Sequence, residues 1–291
     1  MKTTIRFSFF SLCILCMLAL AGCQPVQKQA DTPGATQDAT QEATTGAAPD
    51  AMSDAIYQVS LLDGLMQGDY DGTATVGQLL QEGNTGLGTF DKLDGEMIVL
   101  DGVVYKAKSD GSVEVASDAQ TVPFAAVTNF DDDIAAVPLS SIADLGGLKV
   151  ALDDIIAKET GDFNRFYVAE IKGNFDVVHV RSVPMQDKPY KPLAEVTKNQ
   201  AEFEYENIPG TAVAMRFPDY MQGINLPGWH LHFLSDDKTK GGHVLDLKLA
   251  DGTVSMDTVL AFQLVAPGTE SFADLDLGAD LSQQTTTVES K

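Results

Sequence analysis

GTFDKLDGEMIVLDGVVYKAKSDGSVEVA, residues 88–116, is punctuated by three Asp-Gly pairs, at 94–95, 101–102 and 110–111. Between them lie two short runs of apolar and β-branched residues, Met97–Leu100 and Val103–Tyr105. Asp-Gly supplies the positive-φ positions a tight hairpin needs, and Val, Ile and Tyr favour extended chain. The stretch predicts successive hairpin strands.

The rest of the body follows the same pattern. Upstream, the chain after Asp54 opens on a short strand, and Thr75–Gln81 reads as a short helix capped by Thr75. Downstream, PFAAVTNF (123–130) reads as a strand, and Ser141–Lys158 as a helix with Leu145, Leu148, Leu152, Ile155 and Ile156 at helical spacing. FNRFYVAEIKGNFDVVHVRSV (163–183) predicts two alternating strands turning at Gly173-Asn174. GTAVAMRFP (210–218), GWHLHFLS (228–235) and HVLDLKLADGTVSMD (243–257) extend the strand-rich pattern. No strand–helix–strand rhythm recurs, which argues against a doubly wound parallel sheet. The fold class expected is α+β: strand-rich, mixed or antiparallel sheets with a few helices. GEMIVLDGVVYKAKSDGSV and GHVLDLKLADGTV share a strand followed by Asp-Gly, a pattern that two related halves or ordinary hairpin chemistry would equally produce. Related halves would divide the body, 54–291, near 160–175.

The ends carry a different message. MKTTIRFSFFSLCILCMLALAGCQ begins with Lys2 and Arg6 and continues as an apolar run, Phe7–Leu20, shorter than a spanning helix requires. Leu20-Ala21-Gly22-Cys23 resembles a bacterial lipobox. Residues 1–22 are thus expected to be a lipoprotein signal, with a lipid on Cys23 as the only membrane contact and the protein on the periplasmic or extracellular face of the envelope. Residues 23–53 are Gln, Ala, Thr, Asp, Gly and Pro with almost no large apolar side chain, the composition of a disordered tether. All three cysteines, Cys13, Cys16 and Cys23, lie in the first 23 residues. The body therefore has no disulfide, no thiolate metal site and no cysteine nucleophile. The net charge of −23 would repel nucleic acid and anionic lipid.

Three of the chain's four histidines, His230, His232 and His243, fall within GWHLHFLSDDKTKGGH (228–243). On a strand His230 and His232 share one face, and Trp229, Leu231 and Phe233 take the other. If the next strand returns antiparallel, His243 lands beside His232. Three imidazoles then converge and leave positions open for water or substrate, as a catalytic metal needs. Zinc is the first choice, and iron, manganese or cobalt accept the same ligands. His179 reads as structural, although it shares a strand face with Arg181. Phe90, Phe124 and Trp229 read as core.

Four segments resemble the α-acetolactate decarboxylase family: GLGTFDKLDGEMIVLDGVVYK (86–106), TVPFAAVTNF (121–130), VRSVPMQDKPYKPL (180–193) and PGWHLHFLSDDKTKGGHVLDL (227–247). The resemblance spans Ile56 to Phe272. It implies decarboxylation of (S)-2-acetolactate to (R)-acetoin and carbon dioxide, with zinc, no organic cofactor and a homodimer. It implies metal ligation by His230, His232 and His243 and active-site roles for Glu96 and Arg181. A glutamate from the C-terminal tail is also implied, with Glu289 the best match and Glu270 the fallback. Either Glu96 or Glu289 would deliver the proton. Two other readings stand beside this one: a related metal-dependent keto-acid lyase or isomerase, and a tethered protein that binds metal or a keto acid without turnover.

Overall fold

A computed structural model describes residues 54–289. The leader, Cys23 and the tether expected at 23–53 lie outside the described residues. Among the described residues no helix is long and apolar enough to cross a membrane.

Among the described residues, two large sheets and a two-stranded one, Ala74–Thr75 with Thr121–Val122, make up the body. The first has seven strands, in the order 261–265, 55–59, 124–128, 85–89, 96–100, 103–107 and 113–115. Ala55–Val59 and Ala261–Val265 run parallel, and the remaining pairs are antiparallel, so the sheet is mixed. The hairpin expected at Asp101-Gly102 is present. Asp101 has φ 53° and Gly102 φ 73°, the two left-handed positions a two-residue turn requires. Thr75 caps the helix Val76–Glu82, and Gln78 reciprocates to complete a capping box.

The second sheet has the order 166–182, 201–217, 228–235, 241–259 and 134–142. The strand Phe166–Ser182 also pairs with Gly241–Val259, so the pairing runs round in a ring. Here the sequence expectations need correction. Gly173-Asn174 is not a turn: one strand of 17 residues runs through it. Nor is Asp251-Gly252, which lies inside a strand of 19 residues. Gly173 sits between Gly210 and Gly252 on the neighbouring strands. A Cβ on Gly173 would lie 2.3 Å from Asp251 O. These glycines let backbones approach, which is the other use of a residue without a side chain.

Helix Leu145–Glu159 begins later than expected because Ser141 and Ile142 belong to the strand Ile134–Ile142. Asp144 caps it, accepting from Gly147 N–H at 2.7 Å. Leu148, Leu152 and Ile156 of this helix pack on Tyr167, Leu231, Phe233 and Leu247 of the second sheet. The two sheets meet through Ile98, Leu100 and Ala107 of the first and Val213 and Leu234 of the second. Met97–Leu100 is therefore buried in the middle of its sheet. It is not the exposed edge that a strand pairing across a dimer would need.

Candidate active site

The strand Gly228–Ser235 puts His230 and His232 on one face, while Trp229, Leu231 and Phe233 turn into the core. His232 pairs directly with His243 on the returning antiparallel strand. The ring centroids lie 5.0 Å apart for His230–His232, 4.8 Å for His230–His243 and 5.3 Å for His232–His243. One nitrogen from each lies within 4.8 Å of the others.

The neighbouring strand Phe166–Ser182 sets Arg181 opposite His243 on its other side. From the first sheet comes Glu96, the first residue of its strand. Gly95 precedes it at φ 95°, where a Cβ would meet Ala107 O at 2.6 Å. Thr89 Oγ1 donates to Gly95 O at 2.8 Å and fixes that turn. Glu289 arrives on the helix Ser282–Glu289. Its Oε1 lies 3.3 Å from Arg181 Nη2, and its Oε2 lies 3.4 Å from His243 Nε2 and 3.8 Å from His230 Nε2. Glu96 Oε2 lies 3.8 Å from His232 Nε2. All six groups line one cavity. The rest of its wall is mostly apolar, Leu62, Leu65, Leu93, Phe124, Val183 and Leu193, together with Gly88 and Thr89.

Burial dominates the electrostatics. It holds His230 down at about 3, with the positive charge of Arg181 and then Lys149 adding to the effect. His232 and His243 are likewise held well below the usual imidazole range, first by burial. Glu96 is pushed up to about 7 by burial; Arg181 opposes this, Glu289 adds to it, and the Val183 N–H opposes it again. The imidazoles are thus neutral, the state in which histidine binds metal. His232 Nδ1 lies 2.7 Å from Met97 O. A carbonyl only accepts, so Nδ1 carries the proton and Nε2 keeps its lone pair. Three neutral imidazoles with a fixed tautomer at one of them, and two carboxylates facing them, fit a divalent transition metal.

The family model for α-acetolactate decarboxylase matches residues 56–279. The chain belongs to the α-acetolactate decarboxylase family. It is 42% identical to the enzyme of that name from Methanosarcina mazei over 80% of each chain, and 33% identical to that from Brevibacillus brevis over 100% of this chain and 99% of the other. The crystal structure of α-acetolactate decarboxylase from Bacillus subtilis strain 168 superimposes with a TM-score of 0.77 at 33% identity, covering 81% of this chain and 99% of that one.

The six residues singled out from the sequence are brought together. His179 is not: it pairs with Glu202 at 3.0 Å outside the cavity, beyond a bulge that separates it from Arg181. Glu270 is exposed on a separate short helix, so Glu289 is the tail glutamate that reaches the cavity. Phe90 and Trp229 are core, as expected. Phe124 is both core and cavity wall. The leucines of the wall and Met97 O escaped the sequence reading. The wall comes from several distant segments that carry no motif, and the Met97 group is a backbone carbonyl.

Proposed function

We propose that this member of the family decarboxylates 2-acetolactate to acetoin and carbon dioxide. The observation that carries the reading is the convergence of three neutral imidazoles, Arg181, Glu96 and Glu289 in one cavity whose wall is otherwise mostly apolar. His230, His232 and His243 would hold the metal, with zinc the first choice. Bound there, the metal supplies Lewis acidity toward the ketone and hydroxyl oxygens.

The chain's own groups do the rest. Arg181 Nη1 is engaged by Val288 O and Gln200, and Nη2 by Glu289, while the buried Nε–H has no acceptor among the described residues. That donor is left for a substrate oxygen, and it orients the carboxylate that departs. When the bond to that carboxylate breaks, its electron pair moves into the neighbouring ketone. The product needs a proton on the carbon left behind. Glu96 is the better donor of the two glutamates: Glu289 is tied to Arg181, whereas burial favours the protonated form of Glu96. The apolar wall excludes water and seats the alkyl groups.

Acetoin and carbon dioxide release from racemic 2-acetolactate by the full chain, metal-stripped and again with zinc restored, tests this reading. Metal-dependent acetoin above spontaneous decay supports it. Bound metal with no acetoin leaves the alternatives of another keto acid or of binding alone.

Export, a lipid on Cys23 and an envelope location belong to the same proposal. They are supported by the basic start, the apolar run and Leu20-Ala21-Gly22-Cys23. A mass spectrum of the mature N-terminus would show the lipid, and an intact Met1 would remove the idea. A homodimer is proposed as well, with the ends of the first sheet, Ala261–Val265 and Val113–Val115, as its free edges; the mass in solution decides it.

A further inference from the structure

The mechanism leaves one charged neighbour of the histidines without a task. Lys149 sits in the second turn of helix Leu145–Glu159, half-buried. The start of this helix is held by Asp144, and by Asp246, which accepts from Leu145 N–H at 2.8 Å. Leu148, the preceding residue, is fully buried. Lys149 is thereby fixed over a narrow crevice that it lines with Leu145, Trp229, His230, His243 and Glu289. None of the apolar wall residues lines this crevice, so it is a separate approach to the same polar groups.

Two charged atoms in the crevice lack a hydrogen bond among the described residues. The Lys149 ammonium makes no hydrogen bond or ion pair among the described residues. Glu289 spends Oε1 on Arg181, while its Oε2 is buried with no hydrogen bond. A half-buried ammonium beside two imidazoles is unfavourable on its own account, and it works against their holding a cation. The nearby carboxylate offsets that cost. Glu289 opposes the effect of burial on Lys149, as an opposite charge at close range does.

We propose that Lys149 is a positioning residue for Glu289, drawing Oε2, which faces His243 Nε2 at 3.4 Å without a hydrogen bond, from the crevice side while Arg181 holds Oε1 from the other. The effect on turnover rests on the functional reading above; the pairing itself does not.

The test uses the full chain with Lys149→Met, which keeps the length and apolar stem, and Lys149→Arg, which keeps the charge. Each is made alone and with Glu289→Gln. Lys149→Met is expected to lower kcat about tenfold, with bound metal per chain unchanged, and Lys149→Arg to restore most of the rate. In the Glu289→Gln background Lys149→Met should change nothing further. Denaturant unfolding of the parent, Lys149→Met, Glu289→Gln and the double variant gives a second cycle independent of turnover, in which the cost of Lys149→Met should vanish once Glu289 is neutral. Equal losses in both backgrounds, or a Lys149→Met chain as active and stable as the parent, would overturn the proposal. If the parent makes no acetoin, the functional reading falls and the unfolding cycle alone decides the pair.

Discussion

Arg181 and Glu289 stand 108 positions apart in the chain and meet in a buried ion pair of 3.3 Å, one on a long strand and the other at the end of the last described helix. Arg181 also donates to Val288 O, so the guanidinium fastens the helix end as well as its carboxylate. A lysine has no fork with which to make both contacts. Arg181→Lys should therefore lower kcat/KM for 2-acetolactate by roughly a hundredfold while leaving the circular dichroism spectrum unchanged. A variant within threefold of the parent would show that charge alone suffices.

Removing one imidazole should empty the centre without unfolding the body. His232 is buried, but its neighbours on the strand's other face, Leu231 and Phe233, carry the core contacts. His232→Ala is expected to lose most bound zinc, measured per chain by atomic emission, with far-ultraviolet dichroism intact. Unchanged metal content would exclude His232 as a ligand.

Glu96 offers the complementary test. Glu96→Gln keeps the volume and removes the transferable proton. It should retain metal and lose turnover by about a hundredfold or more, the usual size of a general-acid contribution. Full activity with metal bound would pass the proton-donor role to Glu289.

The pH dependence of stability has a source outside the cavity. Asp257 is buried, and its carboxyl is pushed up to about 7, chiefly by burial and further by Asp54, Asp133 and Asp131, against the backbone N–H of Asp131. An unfolded aspartate titrates near about 3.9. Between these values the folded chain binds the proton more tightly than the unfolded chain. Stability from this group is thus fullest below about pH 4, falls as pH rises towards 7, and then levels off. Asp257→Asn should flatten that decline and stabilise the protein at pH 8 by on the order of 2 kcal/mol. Urea unfolding at pH 5 and pH 8 checks it, and an unaltered slope would point to other carboxyls.

Gly173 supplies a test of the fold. With Asp251 O only 2.3 Å from where a Cβ would stand, Gly173→Ala must push two long strands apart. A loss of about 3 kcal/mol or more is expected in denaturant unfolding. A loss under about 1 kcal/mol would mean the ring of strands yields easily at that point.

These positions also show how far the residues could be read without coordinates. The hairpin at Asp101-Gly102 and the histidine cluster were legible because each depends on local periodicity: a positive-φ pair between extended runs, and alternation along one strand. Gly173 and Gly252 misled because the sequence signal for a turn is the same as that for a close backbone approach. What separates the two is the strand lying alongside, which is remote in sequence. Leu62, Leu93 and Leu193 could not be picked out as cavity wall, because any apolar residue satisfies the local pattern and only the packing of distant segments selects these. Glu96 and Arg181 were found through the family's motifs; periodicity alone would have left them as a turn carboxylate and a strand-edge cation.

The bond from His232 Nδ1 to Met97 O has a consequence beyond the cavity. The carbonyl belongs to one sheet and the imidazole to the other. The imidazoles proposed to hold the metal are therefore aimed correctly only while the two sheets are docked. Ion binding and sheet docking are then one thermodynamic equilibrium. Thinning the contact between Ile98 and Leu234, which do not line the cavity, should show up as faster loss of the ion to a chelator, and the ion should in turn act as a rivet between the layers.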